Sequence, residues 1–180
     1  MTPQLKSIIE EFRAQADPTR RMLERVPGDK LSWKPHTKSR TLGELAAHIA
    51  GIAGMAERIA TTEEFSPGGP SPLKLNTVEE IRERFDQNMR SADEAMGKMS
   101  DQAANAHWRL VFQGKEIFSR PRVEALRTNV LNHLYHHRGQ LSVYLRLLDV
   151  PLPAVFGPTA DENPFMWQFV RQLPRGPARK

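Results

Sequence analysis

The chain has 180 residues, of which 39% are hydrophobic and 26% are charged, and it carries a formal net charge of +5. This length fits one domain that buries about 70% of its unfolded surface, and the composition is that of an ordinary soluble globular protein. It contains no cysteine, which excludes disulfides, thiolate metal sites and a cysteine nucleophile. Any metal ion must therefore be held by nitrogen and oxygen ligands.

Charge and hydropathy also bear on location and partners. The N-terminal segment 1–15 is charged throughout and lacks the apolar core of a secretion signal. The longest apolar run, 45–56, is far shorter than the roughly 20 residues that a membrane span needs. We expect a cytoplasmic protein without a membrane partner.

The sequence pI of about 9.8 raises the question of a nucleic-acid partner. The basic residues are dispersed among acidic ones, and they concentrate only near the C-terminus. We therefore expect no nucleic-acid partner. We predict a single domain over residues 1–170, followed by a basic, flexible tail over 171–180.

Apolar residues recur at helical spacing along most of the chain. Thr2 followed by Pro3 is typical of a helix N-terminus. Pro18 is expected to kink or split this first helix, because proline lacks an amide donor. Thr41 and Glu44 have the spacing of a capping box that opens a second helix. That helix is rich in small residues and is predicted to be central.

The second half of the chain predicts a loop, a third helix, a hairpin and a last helix. The loop covers residues 66–72, and Asn76 or Thr77 caps the third helix. Alternation and a Gln-Gly turn within 107–119 indicate a short hairpin. The last long helix is predicted from Pro121 to about Leu148.

Together these elements predict an all-α fold. The predicted architecture is an up–down four-helix bundle with a short β-hairpin before the last long helix. A further helical turn is predicted near residues 165–172.

Three of the six histidines lie within Asn132–Gln140. His133 and His137 are four residues apart and project from one helix face. They also continue the apolar stripe of the last helix, so both should point into the core. Two imidazoles so placed can bind one ion at about 2.0–2.1 Å. Burying neutral imidazoles requires hydrogen-bond partners or a metal.

His48 is the candidate third ligand, because Leu45 and Ile52 place it on the buried side of the second helix. Three histidines from two helices would leave an open coordination position, as catalytic sites do. The alternative is three core histidines bonded to carbonyls and waters, and the residues alone leave both interpretations open. Gln140, one turn after His137, could steady a ligand or be a polar edge residue.

Several segments are similar to a known family. The segment 133–162, HLYHHRGQLSVYLRLLDVPLPAVFGPTADE, resembles the C-terminal signature of the DinB-like (DinB/YfiT) metalloproteins. TLGELAAHIAG, at 41–51, resembles the second-helix motif of that family. The resemblance implies a four-helix bundle, frequent homodimers, and one divalent ion (nickel, zinc or iron) bound by His48, His133 and His137.

The resemblance also implies a range of activities. Some members of the family resemble thiol-dependent transferases or isomerases that use a low-molecular-weight thiol. The leading hypothesis is therefore a metal-dependent hydrolase or thiol-dependent S-transferase acting on a small molecule. The alternative hypothesis is a non-catalytic metal-binding stress-response or binding protein. Asp161 and Glu162 are candidates for handling protons or orienting substrate, and could equally cap a terminal helical turn.

Overall fold

The computed structural model describes residues 1–67 and 75–163. These residues are mostly helical, with one small sheet. The elements, in chain order, are α1 (Pro3–Ala14), α2 (Ala16–Leu23), a 3-10 turn (Gly28–Lys30), α3 (Leu42–Thr61), β1 (Glu64–Phe65), α4 (Val78–Gly97), α5 (Asp101–Asn105), β2 (His107–Phe112), β3 (Lys115–Pro121), α6 (Arg122–Leu126), a π-helical segment (Arg127–Asn132) and α7 (His133–Leu147). Part of the predicted 66–72 loop, the predicted turn at 165–172, the end of the predicted domain and the predicted tail at 171–180 lie outside the described residues.

The first predicted helix is split into α1 and α2. Thr2 caps α1 by accepting a hydrogen bond from the amide of Leu5, and Pro3 is its first residue. The helix is interrupted at Gln15, so Pro18 falls in the first turn of α2. An amide in a first turn has no intrahelical acceptor, and proline is therefore tolerated there. The predicted split is confirmed.

Helices α3 and α4 pack closely against each other. Both begin with capping boxes, formed by Thr41 with Glu44 and by Thr77 with Glu80. The small residues of α3 permit the close approach. A Cβ added at Gly54 would lie 3.0 Å from the side chain of Asn88 on α4. The predicted caps are present, and α3 is central, since its neighbours include α4, α6 and α7.

The sheet has three strands, in the order β1-β2-β3. Strands β2 and β3 pair antiparallel through a turn at Gln113 and Gly114, both of which have positive φ. Strand β1 pairs parallel with β2 and was not predicted. Trp108 on β2 is fully buried. Arg122, after β3, donates to the carbonyls of Ile59 and Thr62 and thereby ties the start of α6 to the end of α3.

The last predicted helix is not continuous α-helix. It runs through α6, then the π-helical segment, and becomes α-helical again at His133. The prediction of one uninterrupted helix from Pro121 is wrong at this point. Because a π turn contains an extra residue, it changes the face on which the following side chains lie. Among the described residues, no helix is long and apolar enough to cross a membrane.

Candidate metal centre

Three histidines from two helices meet beside the core. His48 lies on α3, two turns after its cap, and His133 and His137 lie on α7. The Nε2 atom of His48 is 3.2 Å from that of His133 and 3.1 Å from that of His137. The Nε2 atoms of His133 and His137 are 2.9 Å apart. All three side chains are half-buried, and the described residues contain no other such group of potential ligands.

This triangle of nitrogens has the dimensions of a metal site. Metal–nitrogen bonds of about 2.1 Å place ligand atoms roughly 3.0 Å apart at right angles and roughly 3.4 Å apart at tetrahedral angles. The separations of 3.2 and 3.1 Å lie within that range, and the separation of 2.9 Å lies slightly below it. One ion therefore fits against all three nitrogens with little movement of the rings.

Hydrogen bonds on the far side of the rings determine which nitrogen carries the proton. The Nδ1 atom of His137 lies 2.7 Å from Oε1 of Gln140. A carboxamide oxygen can only accept, so the proton of a neutral His137 is on Nδ1. Its Nε2 is then a bare lone pair that faces the other two rings, which is the tautomer that a metal requires.

The π-helical segment ends directly before His133. The backbone amide of His133 donates to the carbonyl of Val130. The backbone of Asn129 raises the pKa of the His133 imidazole, in opposition to the larger effect of burial. Nε2 of His133 faces the cluster and lies 2.9 Å from Nε2 of His137.

The environment favours neutral imidazoles. Burial, together with the smaller effects of the nearby charges of His137, Arg40 and His133, lowers the pKa of His48 to about 4. Burial also lowers the pKa values of His133 and His137, although the hydrogen bonds to Asn129 and Gln140 oppose this. Metal ligation requires the neutral form, which the folded protein therefore keeps available below the ordinary pKa of histidine.

Arg40 adds positive charge to the surroundings of the site. Its charge lowers the pKa values of all three histidines, and its side chain is exposed. Tyr144, two turns after His137 on α7, donates to the carbonyl of Arg40 and packs edge-on against Trp33. These contacts hold the segment before α3 against α7.

Asp161 and Glu162 lie in the segment after α7 and are engaged in ion pairs. Asp161 pairs with Arg146 and accepts a hydrogen bond from the amide of Leu152. Glu162 pairs with Arg21 and accepts from the amide of Ala154. The arginine and backbone donors lower the pKa values of both carboxyls. These contacts fold the segment onto α2 and α7.

The remaining histidines stay apart from the cluster nitrogens. His36 and His107 are exposed, and His107 contacts Ser119 in the sheet. His136 is exposed beside the ring of His137. Sequence reasoning missed the effect of the Asn129 backbone on the pKa of His133, because a backbone group leaves no side-chain signature.

Comparisons with known proteins agree with this fold. The model of the DinB family matches residues 1–163. The chain is 22% identical over 158 residues to YrdA, an uncharacterized protein of Bacillus subtilis strain 168, covering 88% of this chain and 91% of YrdA. The chain belongs to the DinB family.

Solved structures show the same fold at low identity. A DinB-like protein from Bacillus cereus superposes with a TM-score of 0.66 at 22% identity, covering 84% of this chain and 97% of that protein. The mycothiol-dependent maleylpyruvate isomerase superposes with a TM-score of 0.53 at 15% identity, covering 84% of this chain and 65% of that enzyme. These likenesses concern the fold alone.

Proposed function

We propose that His48, His133 and His137 bind one divalent metal ion. The proposal rests on one observation, the meeting of three Nε2 atoms at 2.9 to 3.2 Å. The hydrogen bond to Gln140 places the proton of a neutral His137 on Nδ1, so the bare lone pair of its Nε2 faces the other two ring nitrogens. A cation would be bound by this lone pair together with those of the other two rings. Nickel, zinc and iron all suit imidazole ligands.

We propose further that the site is catalytic and acts on a small molecule. A divalent ion held by three neutral ligands would keep positions open for water or thiolate, lower the pKa of that group and act as a Lewis acid. None of the three ligands would neutralise the charge of the ion, and Arg40 adds to it. Such a site favours an anion. Gln140 would keep the ring of His137 oriented.

A thiol-dependent transfer or isomerisation is the reaction that we favour over hydrolysis. The chain has no cysteine, so any thiolate must come from a separate small molecule. The fold is shared with a protein described as a mycothiol-dependent maleylpyruvate isomerase. Both points support a low-molecular-weight thiol cosubstrate, and the positive site suits its thiolate.

We propose the family's up–down four-helix bundle as the scaffold, formed by α1 with α2, α3, α4, and α6 with α7, within a single domain that ends near residue 170. We also propose a homodimer in the cytoplasm. The apolar side chains of Val143 and Leu147, four residues apart on α7, are more than half exposed and could pack against a second copy. Light scattering after size-exclusion chromatography would give the mass.

The experiment that tests the catalytic proposal is cobalt substitution followed by thiol titration. A visible cobalt spectrum that shifts and gains a sulfur-to-metal charge-transfer band on addition of millimolar glutathione or bacillithiol is the expected result. His48→Ala protein treated in the same way is the control and should give no such band. If the thiols leave the spectrum unchanged, the result would favour the alternative function, a protein that binds the metal without catalysis.

A further inference from the structure

A second cavity lies on a different face of α7. It has a volume of about 390 Å³ and lies between α2, α7 and the segment that follows α7. Met22, Val155 and Phe156 contribute apolar walls, and Arg138 and Gly139 line it from α7. This volume is in the range of small-molecule sites. Arg138 follows His137 directly, so its side chain projects about 100° away from the histidine cluster.

Among the residues that the structure describes, Arg138 is a buried cation without an anionic partner. Its side chain is only 4% exposed, and its guanidinium donates to two neutral oxygens, those of Thr19 and Gln15, each at 3.0 Å. The residues that the structure does not describe, 68–74 and 164–180, contain neither aspartate nor glutamate. No acidic side chain of the chain therefore neutralises this charge.

The neighbouring arginines, unlike Arg138, form ion pairs with carboxylates. Arg21 pairs with Glu162, Arg146 with Asp161, and Arg127 with Glu11. The most buried arginine of this region is thus the one without a carboxylate. An unpaired buried charge is costly, and a charge kept in a cavity wall is typical of a site for an opposite charge.

The cavity also provides a place for an apolar group. The ring of Phe156 covers the Arg138 guanidinium at 4.7 Å, and the ring of Tyr135 lies 5.4 Å from it. Phe156 is nevertheless 73% exposed, an unusual position for a large aromatic side chain. An apolar ligand body packed against it would remove that surface from water.

We propose that this cavity binds a small monocarboxylate with an apolar body, with its carboxylate paired to Arg138. One unpaired guanidinium matches a single negative charge, and the planar fork of arginine suits a carboxylate. Two of its five N–H donors are used by Thr19 and Gln15, which leaves others for the ligand. The site is separate from the three histidines and does not depend on a metal.

The test is calorimetric titration of the full chain with 3-phenylpropionate and with its neutral amide, 3-phenylpropionamide. EDTA is present throughout, so that no carboxylate can bind through a metal. We expect the carboxylate to bind at least tenfold more tightly than the amide. Equal affinity, or no binding of the carboxylate to the full chain, would overturn the proposal.

Three variants locate the site. Arg138→Met should abolish the preference for the carboxylate. Gly139→Leu should weaken both ligands at least tenfold by filling the cavity edge, and should fold, because a Cβ at Gly139 meets nothing within 4 Å. His48→Ala should change neither affinity. Binding that survives Gly139→Leu, or that His48→Ala abolishes, would place the ligand elsewhere and contradict the proposal.

Discussion

Single side chains set the chemical state of the histidine cluster. The ring of His137 is held at two points, by its place on α7 and by the hydrogen bond from Nδ1 to Gln140. The backbone of Asn129 raises the pKa of His133, in opposition to burial. Groups that orient a ligand as Gln140 does are worth about 10–100-fold in metal affinity.

Replacing Gln140 by leucine tests this contribution. We expect Gln140→Leu to weaken zinc binding by about 10–100-fold, because His137 loses the acceptor that fixes its tautomer. Gln140 is exposed, so the metal-free protein should keep its melting temperature. Competition with a zinc-binding dye gives the affinity, and Gln102→Leu, at an exposed glutamine on α5, is the control. Equal zinc affinities of the two variants would contradict this role of Gln140.

Among the elements, α3 both carries His48 and packs closely against α4. Its glycines at positions 51 and 54 lie in different surroundings. Gly51 faces solvent, and a Cβ there would meet nothing within 4 Å. A Cβ at Gly54 would lie 3.0 Å from the side chain of Asn88, which donates to the carbonyl of Ala50.

Alanine at these two positions should therefore have different effects. Gly51→Ala should raise the free energy of unfolding by about 0.5–1 kcal/mol, the usual gain of helix propensity. Gly54→Ala should lose that gain or destabilise the protein, because Asn88 must move away from its acceptor. Urea unfolding of the two variants measures the difference. A Gly54→Ala protein as stable as Gly51→Ala would show that the two helices are not in close contact there.

An element can be predicted from the sequence when the residues that produce it are adjacent in the chain. The caps at Thr41 and Thr77 depend on four consecutive residues, and the sequence shows them. Strand β1 has two residues and exists only because β2 lies beside it, so no alternation could indicate it. The π-helical segment likewise has no local signal in the sequence. Its apolar spacing resembles that of an ordinary helix.

The residues of the two sites also differ in whether the sequence alone reveals them. His48, His133 and His137 were identifiable because helical spacing placed each on an apolar stripe. The burial of Arg138 was not identifiable, because a charged residue in a helix is ordinarily expected to face solvent. Its burial against Thr19 and Gln15 requires α1 and α2 to be in place. The ion pairs of Asp161 and Glu162 likewise depend on arginines that the fold brings near.

For the whole molecule, the buried histidines link stability to pH. The pKa of His48 falls from an ordinary value of 6.5 to about 4 on folding, and those of His133 and His137 also fall. The unfolded chain therefore binds more protons than the folded one between these values. The free energy of unfolding of the metal-free protein is thus highest above pH 6.5 and decreases as the pH falls toward 4.

Thermal unfolding in EDTA at pH 7.5, 6.5 and 5.5 checks this linkage. We expect the melting temperature to fall with each step, and His48→Leu to show a smaller decrease because it lacks one of the titrating groups. Measurements above pH 5 keep most carboxyls ionised and so separate the effect of the histidines from theirs. Identical pH dependence in both proteins would contradict burial of a neutral His48.

The central claim, that three histidines form one metal site, is tested most directly by calorimetric titration of metal-free, tag-free protein with zinc at pH 7.5. We predict one zinc ion bound per chain, and loss of this stoichiometric binding in each of His48→Ala, His133→Ala and His137→Ala. His136→Ala, which removes the exposed neighbour, should still bind one ion. A wild-type chain that binds no zinc, or tight binding that survives any one of the three substitutions, would contradict the account.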